Sequence, residues 1–324
     1  VLNVEDRSPV TSPGEIAGRA LVRLHEEVRA RRGRSRRVGL ALLAAPGVLL
    51  ISGCSDAVQR GWLPSTKDTT NQTGRIMDLW NGSWIAALAV GVLVWGLILW
   101  CVVAYRRRRD QAGYPAQVKY NIPLEILYTI VPLMMVSVLF YFTARDQAEI
   151  TSVSATPDLT INVVGKQWAW DFNYLNDSGS PDDDVYEVGL QGQLDGEPGA
   201  EAELPTLYLP VDQRVEFELT SRDVIHSFWI PAFLYKLDVI PGVENRFQVV
   251  PQRIGDYRGK CAELCGEYHS DMLFNVKVVS RADYDQHMQD LRDRGQVGRL
   301  DANLGRSETP PGGAVPGGGN GSDS

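Results

Sequence analysis

Histidine is scarce, with four residues in a chain of 324. Positive charge is in deficit too: 32 Lys and Arg stand against 40 Asp and Glu, giving a formal net charge of −8 and a pI near 5.1. That balance, with no basic patch interleaved by aromatics, excludes a general nucleic-acid binder. No segment repeats, which excludes a repeat array. Charge is all but missing from three stretches, near 38–53, 84–104 and 122–142, where the apolar residues gather. Elsewhere it is sharply segregated: bases crowd 29–37 and 106–109, and acids crowd 177–203. The length suits about two domains.

The first apolar stretch reads as an export signal. "RARRGRSRR" is a basic leader, and "VGLALLAAPGVLL" is too short to span a bilayer comfortably. "ISGC" then ends at Cys54, like the lipobox of a bacterial lipoprotein, where the chain is cut before the cysteine and the thiol takes a lipid. The alternative is an uncleaved anchor with an ordinary cysteine. The expected order is therefore a removed signal over 1–53 and an extracytoplasmic segment over 54–83. A transmembrane hairpin over 84–145 follows.

The runs 84–104 and 122–142 each have the length of a membrane-crossing helix. The loop between them holds Arg106, Arg107, Arg108, Arg109 and Lys119 against Asp110. The positive-inside rule puts that loop in the cytoplasm and both ends of the hairpin outside. Glu125 is the one acid inside a span. An intramembrane carboxylate is a functional candidate, although snorkelling to water near the basic end would make it harmless.

After 142 the pattern changes. "LTINVVGKQWAWDFNY", "PTLYLPVDQRVEFELTS", "VENRFQVVP" and "MLFNVKVVS" alternate apolar and polar residues. They predict short strands in a β-sandwich or Greek-key barrel over 146–280. The stretch 175–205, with nine acids and no base, reads as a long solvated insertion. A polar helix on the outside is expected within 281–304, and a disordered Gly/Pro-rich tail over 305–324. The fold class is thus a two-helix hairpin followed by an extracytoplasmic β domain, an α+β membrane protein.

"CAELCGEYHSDM" concentrates soft metal ligands: Cys261, Cys265, His269 and Met272, with His226 upstream. His25 falls in the leader, and His287 on the polar helix reads as a surface residue. A Cys261–Cys265 disulfide is one reading of the pair in an exported domain. A Cys2His2 zinc site would need no methionine. A blue-copper site needs one cysteine, not two. Two thiolates, two imidazoles and a thioether suit two copper ions, though a lone methionine is more often core.

The pattern H-x34-C-x-E-x-C-x3-H-x2-M, with "DVIHSFWIPAF", "KLDVIPG", "YRGKCAELCGEYH", "GKQWAWDF" and the hairpin, resembles cytochrome c oxidase subunit II of the aa3-type haem-copper oxidases. The leader and the longer exposed segments imply a Gram-positive, actinobacterial source. The resemblance implies a cupredoxin-like domain with a binuclear CuA centre. Cys261 and Cys265 would bridge the coppers. His226 and Met272 would complete one ion, and His269 and the Glu263 carbonyl the other. The Glu263 side chain would help hold a magnesium ion shared with subunit I. Trp168 would admit electrons from a c-type cytochrome, soluble or tethered. "LEILYTIVP" places Glu125 at the mouth of a proton path in subunit I. The implied partners are subunit I, further oxidase subunits and the membrane; the implied activity is electron transfer supporting oxygen reduction and proton pumping. Asp223 is a candidate, beside the backbone, for fixing a histidine ring. Three rivals remain. A quinol oxidase subunit lacks the copper ligands. Nitrous-oxide reductase lacks the hairpin. The third is a structural zinc or disulfide domain on an anchor.

Overall fold

The computed structural model describes residues 55–107, 113–114, 117–153, 156–192 and 204–300. The expected leader, Cys54, Arg108 to Asp110 of the basic loop, part of the acidic insertion (193–203) and the tail lie outside the described residues. The chain divides at Gln59 into two compact units, and the first contributes only the short helix α1 (Asp56–Gln59) to the description. Everything below concerns the second unit.

Two long helices come first, α2 (Thr73–Ala104) and α3 (Ile122–Ile150). Their apolar windows have mean hydropathies of 2.6 and 2.0 and are 0% buried. Both extend beyond the apolar runs, α2 upstream of residue 84 and α3 downstream of residue 142, so part of the segment expected over 54–83 is helical. Asn121 caps α3: its side chain accepts from Leu124 N at 3.2 Å, satisfying one of the free donors of the first turn.

A strap ahead of α2 ties the hairpin to the β domain. Gln72 Nε2 donates to Ile150 O at 3.2 Å and to Gln248 O at 3.0 Å. Asn71 N donates to Val250 O (3.0 Å), and Val250 N donates back to Asn71 Oδ1 (2.8 Å).

The β domain is two five-stranded sheets. One has the order β3 (Val185–Glu187), β2 (Ala169–Leu175), β1 (Leu159–Lys166), β5 (Val215–Ser221), β8 (Asn245–Val249). The other runs β4 (Thr206–Pro210), β10 (Leu273–Val279), β9 (Gly255–Cys261), β6 (His226–Ile230), β7 (Tyr235–Val239). The pairs β1–β5 and β4–β10 are parallel, and the remaining ladders are antiparallel. Trp170, Phe172, Phe217, Phe228 and Phe274 fill the space between the sheets. Gly259 is required there: a Cβ on it would lie 1.9 Å from the Phe274 ring.

Three expectations need correction. The acidic stretch is not simply a solvated loop. Val185 and Tyr186 of β3 are buried, and buried Asp184 accepts from Arg299 Nε at 2.9 Å. Helix α4 (Arg281–Asp293) stops short of 304 and is not merely an outer helix, because Tyr284 and Leu291, on one helical face, are buried. His287 on the same face is not a surface residue. Its ring stacks on Tyr208 with centroids 3.6 Å apart.

Candidate metal centre

Three adjoining segments build the site. His226 opens β6, Cys261 closes β9, and Met272 stands immediately before β10. The register fixes their spacing: Phe228 lies opposite Cys261, and Ala262 N donates to Ser227 O at 3.0 Å. Cys261 N donates to Met272 O at 3.0 Å, closing the loop that carries Cys265 and His269. Backbone hydrogen bonds therefore hold the candidate ligands before any metal is considered.

The side chains converge. Cys261 Sγ is 3.9 Å from His226 Nδ1 and 3.9 Å from Cys265 Sγ. Cys265 Sγ is 3.5 Å from His269 Nδ1 and 3.8 Å from Met272 Sδ. The Glu263 carbonyl is 3.2 Å from Cys261 Sγ, while its side chain belongs to an exposed residue. Ligand atoms of His226, Cys261 and Cys265, all buried, lie within 4.8 Å of one another. Both cysteines are free thiols, so the disulfide reading does not hold.

Electrostatics separates the two sulfurs. Burial works against ionising Cys261, but hydrogen bonds around its sulfur, that of His226 first, hold the thiol below its ordinary value. Burial pushes the Cys265 thiol up to about 12, and the charge on Cys261 adds to it. Ionisation is thus easier at Cys261 than at Cys265, and a charge on one sulfur opposes a charge on the other. Buried soft donors converging on one space, and short of positive charge, fit a thiophilic metal.

A supporting layer surrounds the donors. Asp223 Oδ1 is 2.8 Å from His226 Nε2, which turns Nδ1 toward Cys261. Burial opposes charge on both partners, yet the pairing outweighs it: Asp223 is lowered and His226 raised. This decides between Asp223 and the backbone. Asp223 Oδ2 also accepts from Gln167 N at 2.7 Å, and Gln167 Nε2 donates to Cys265 O at 2.8 Å. Trp170 Nε1 donates to Met272 O at 3.3 Å. No local pattern signals the Gln167 role, because its partners lie 56 and 98 residues away.

Trp168 is half-buried. Its ring lies 3.1 Å from where a Cβ on Gly266 would sit, and it meets Tyr268 edge-on at 4.9 Å. It therefore abuts the residue after Cys265. Glu125 sits far from this cluster in sequence and fold, in the first turn of α3, where its carboxylate accepts from Asn121 N at 3.1 Å.

Comparison with known proteins points to one family. Residues 159–279 match the family model described as "Cytochrome C oxidase subunit II, periplasmic domain". A Streptomyces coelicolor protein named "Probable cytochrome c oxidase subunit 2" is 48% identical, over 86% of this chain and 93% of that protein. "Cytochrome c oxidase subunit 2" of Mycobacterium bovis is 34% identical, over 80% of this chain and 82% of that protein. Among solved structures, the periplasmic domain of subunit II of cytochrome oxidase from Bradyrhizobium japonicum matches 43% of this chain and 97% of its own. Its sequence identity is 29% and its TM-score 0.37.

Proposed function

Since this chain belongs to the cytochrome c oxidase subunit II family, we propose that it accepts electrons from a c-type cytochrome and passes them to haem in subunit I. The observation that carries the reading is the convergence of Cys261, Cys265, His226, His269 and Met272 on one largely buried space. These residues, with the Glu263 carbonyl, would hold a binuclear copper centre. When bound, that centre would supply a one-electron carrier.

The chain's own residues do the rest. Asp223 keeps Nδ1 of His226 facing the sulfurs, and Trp170 and Gln167 pin the backbone at Met272 and Cys265. The packed core around Met272 excludes water. Trp168, abutting Gly266, is the entry point for electrons. Oxygen chemistry and proton pumping belong to the assembled oxidase. There Glu125 marks the entrance of a proton path, and the Glu263 carboxylate helps bind magnesium shared with subunit I. Two spans hold the chain in the cytoplasmic membrane with the copper domain outside. Cleavage before Cys54 and lipidation of its thiol complete the topology. The domain order follows, with the hairpin bounds moved to the helix ends: signal 1–53, outer segment 54–72, hairpin 73–150, copper domain 151–280, C-terminal segment and tail.

The test is metal content of the purified full chain. Two coppers per chain support the proposal; zinc, or no metal after copper loading, rejects it.

A further inference from the structure

A groove of about 950 Å³ opens between α2 and α3 at their outer ends. Its wall is apolar, formed by Leu79, Ala86, Met134, Met135, Val138 and Leu139. Its rim is charged. Buried Asp146 is held by Arg75 Nη1 (3.2 Å) and Arg145 Nη2 (2.8 Å), so two guanidiniums share one carboxylate. Asp78, also on the rim, is engaged by Lys67. The rim thus presents two guanidiniums, Arg75 and Arg145, against the carboxylates of Asp78 and Asp146, and Arg145 lies over the Phe142 ring at 5.1 Å.

The groove's depth identifies its occupant. From Phe142, near the end of the apolar run, down to Met134 is about 12 Å at about 1.5 Å per helical residue. That is close to one leaflet, half of a hydrocarbon core of about 30 Å. A partner's transmembrane helix would need a groove along the whole span. An acyl chain under an anionic headgroup needs one leaflet of apolar wall and a cation at the top, which is what is present.

We propose that this groove binds one phosphate-bearing membrane lipid of the outer leaflet, its acyl chain along α2 and α3 and its phosphate at Arg75 and Arg145. This rests on reading the two helices as membrane spans and is independent of the copper site.

Gly82 supplies the test. It lines the groove, and a Cβ added there meets nothing within 4 Å. Gly82→Phe therefore fills the groove without a backbone clash. Gly96, equally open on the same helix but away from the groove, gives the control Gly96→Phe. Full-length protein is incubated with phosphatidylglycerol, detergent-exchanged exhaustively and assayed for retained phospholipid by mass spectrometry. Wild type and Gly96→Phe should keep a stoichiometric lipid. Gly82→Phe, and Ala86→Phe one turn below, should lose at least about tenfold in retention. Arg145→Gln should lose the preference for phosphatidylglycerol over uncharged diacylglycerol. An unaltered far-UV circular dichroism spectrum and gel-filtration profile check the fold of each variant. No stoichiometric lipid in wild type, or full retention in both groove-filling variants, overturns the site. Unchanged headgroup preference in Arg145→Gln overturns the phosphate assignment. Release of the chain from membranes by alkaline carbonate would instead overturn the span reading, whereas a chain that stays embedded without bound lipid overturns the groove alone.

Discussion

Trp170 and Trp95 are the same residue in two surroundings. Trp170, in β2, is fully buried against Phe228, Phe274 and His226. Trp95, in α2, leaves 66% of its surface open. The contrast runs through the molecule: the β domain turns its large apolar side chains inward, and the hairpin turns them out. An exposed apolar surface as extensive as the hairpin's marks a lipid or partner interface. The β domain thus packs its own core around the candidate donors. The hairpin completes its packing only with membrane and partner subunits.

The sharpest way to break this comparison is to truncate the same type of residue in each region. Trp170→Ala should destabilise the β domain by about 3–5 kcal/mol, read by thermal or denaturant unfolding. It should also disturb the copper spectrum, because it removes the hydrogen bond to Met272 O. Trp95→Ala should leave β-domain unfolding within about 0.5 kcal/mol of wild type. Equal effects would mean that the two regions share one core.

A second substitution separates holding the metal from being the metal's ligand. Asp223→Ala frees His226 Nε2, and copper affinity should fall by about 10–100-fold while the fold persists. Competition with a copper chelator measures it. Unchanged affinity would leave Asp223 without the positioning role.

Much of this organisation was legible in the chain. Apolar runs of membrane length announced the hairpin, and period-two alternation announced β1, β2, β4, β5, β8 and β10. The strands that build the site were harder to read. β6 is buried at four of its five residues and shows no alternation, and β9 carries Gly255, Gly259 and three charges, Asp256, Arg258 and Lys260, before Cys261. Gly259 is there for Phe274, a long-range contact that no local pattern reports. The cluster of 261–272 was legible because its donors are close in sequence. Gln167 depends on contacts 56 and 98 residues away, whereas Asp223 lies only three residues from His226 and is chosen by which way its side chain turns. β3 was hidden by the acids around it, since burial of Val185 and Tyr186 is decided by tertiary packing.

Trp168→Ala sharpens the comparison at the boundary between site and surface. The copper spectrum should stay intact while the rate of copper reduction by a c-type cytochrome falls. An unaltered rate would remove Trp168 as the entry point.

The smallest effect concerns pH. Burial, reinforced by Arg294 and Lys277, lowers His287 from 6.5 to about 4. Its folded pKa lies below the unfolded one, so the unfolded chain takes up the proton first as pH falls. Above pH 6.5 His287 costs nothing, and between 6.5 and about 4 the docking of α4 should weaken. His287→Phe should flatten that part of the stability profile. An identical profile in the variant would place the acid sensitivity elsewhere.

The central claim is that both cysteines serve one shared centre, and the EPR spectrum of the copper-loaded protein with and without Cys265→Ser tests it most directly. The account predicts a multiline hyperfine pattern from one electron shared by two copper nuclei in the native chain. In the variant that pattern should collapse to at most a mononuclear signal. A multiline pattern that survives the loss of Cys265 would contradict it.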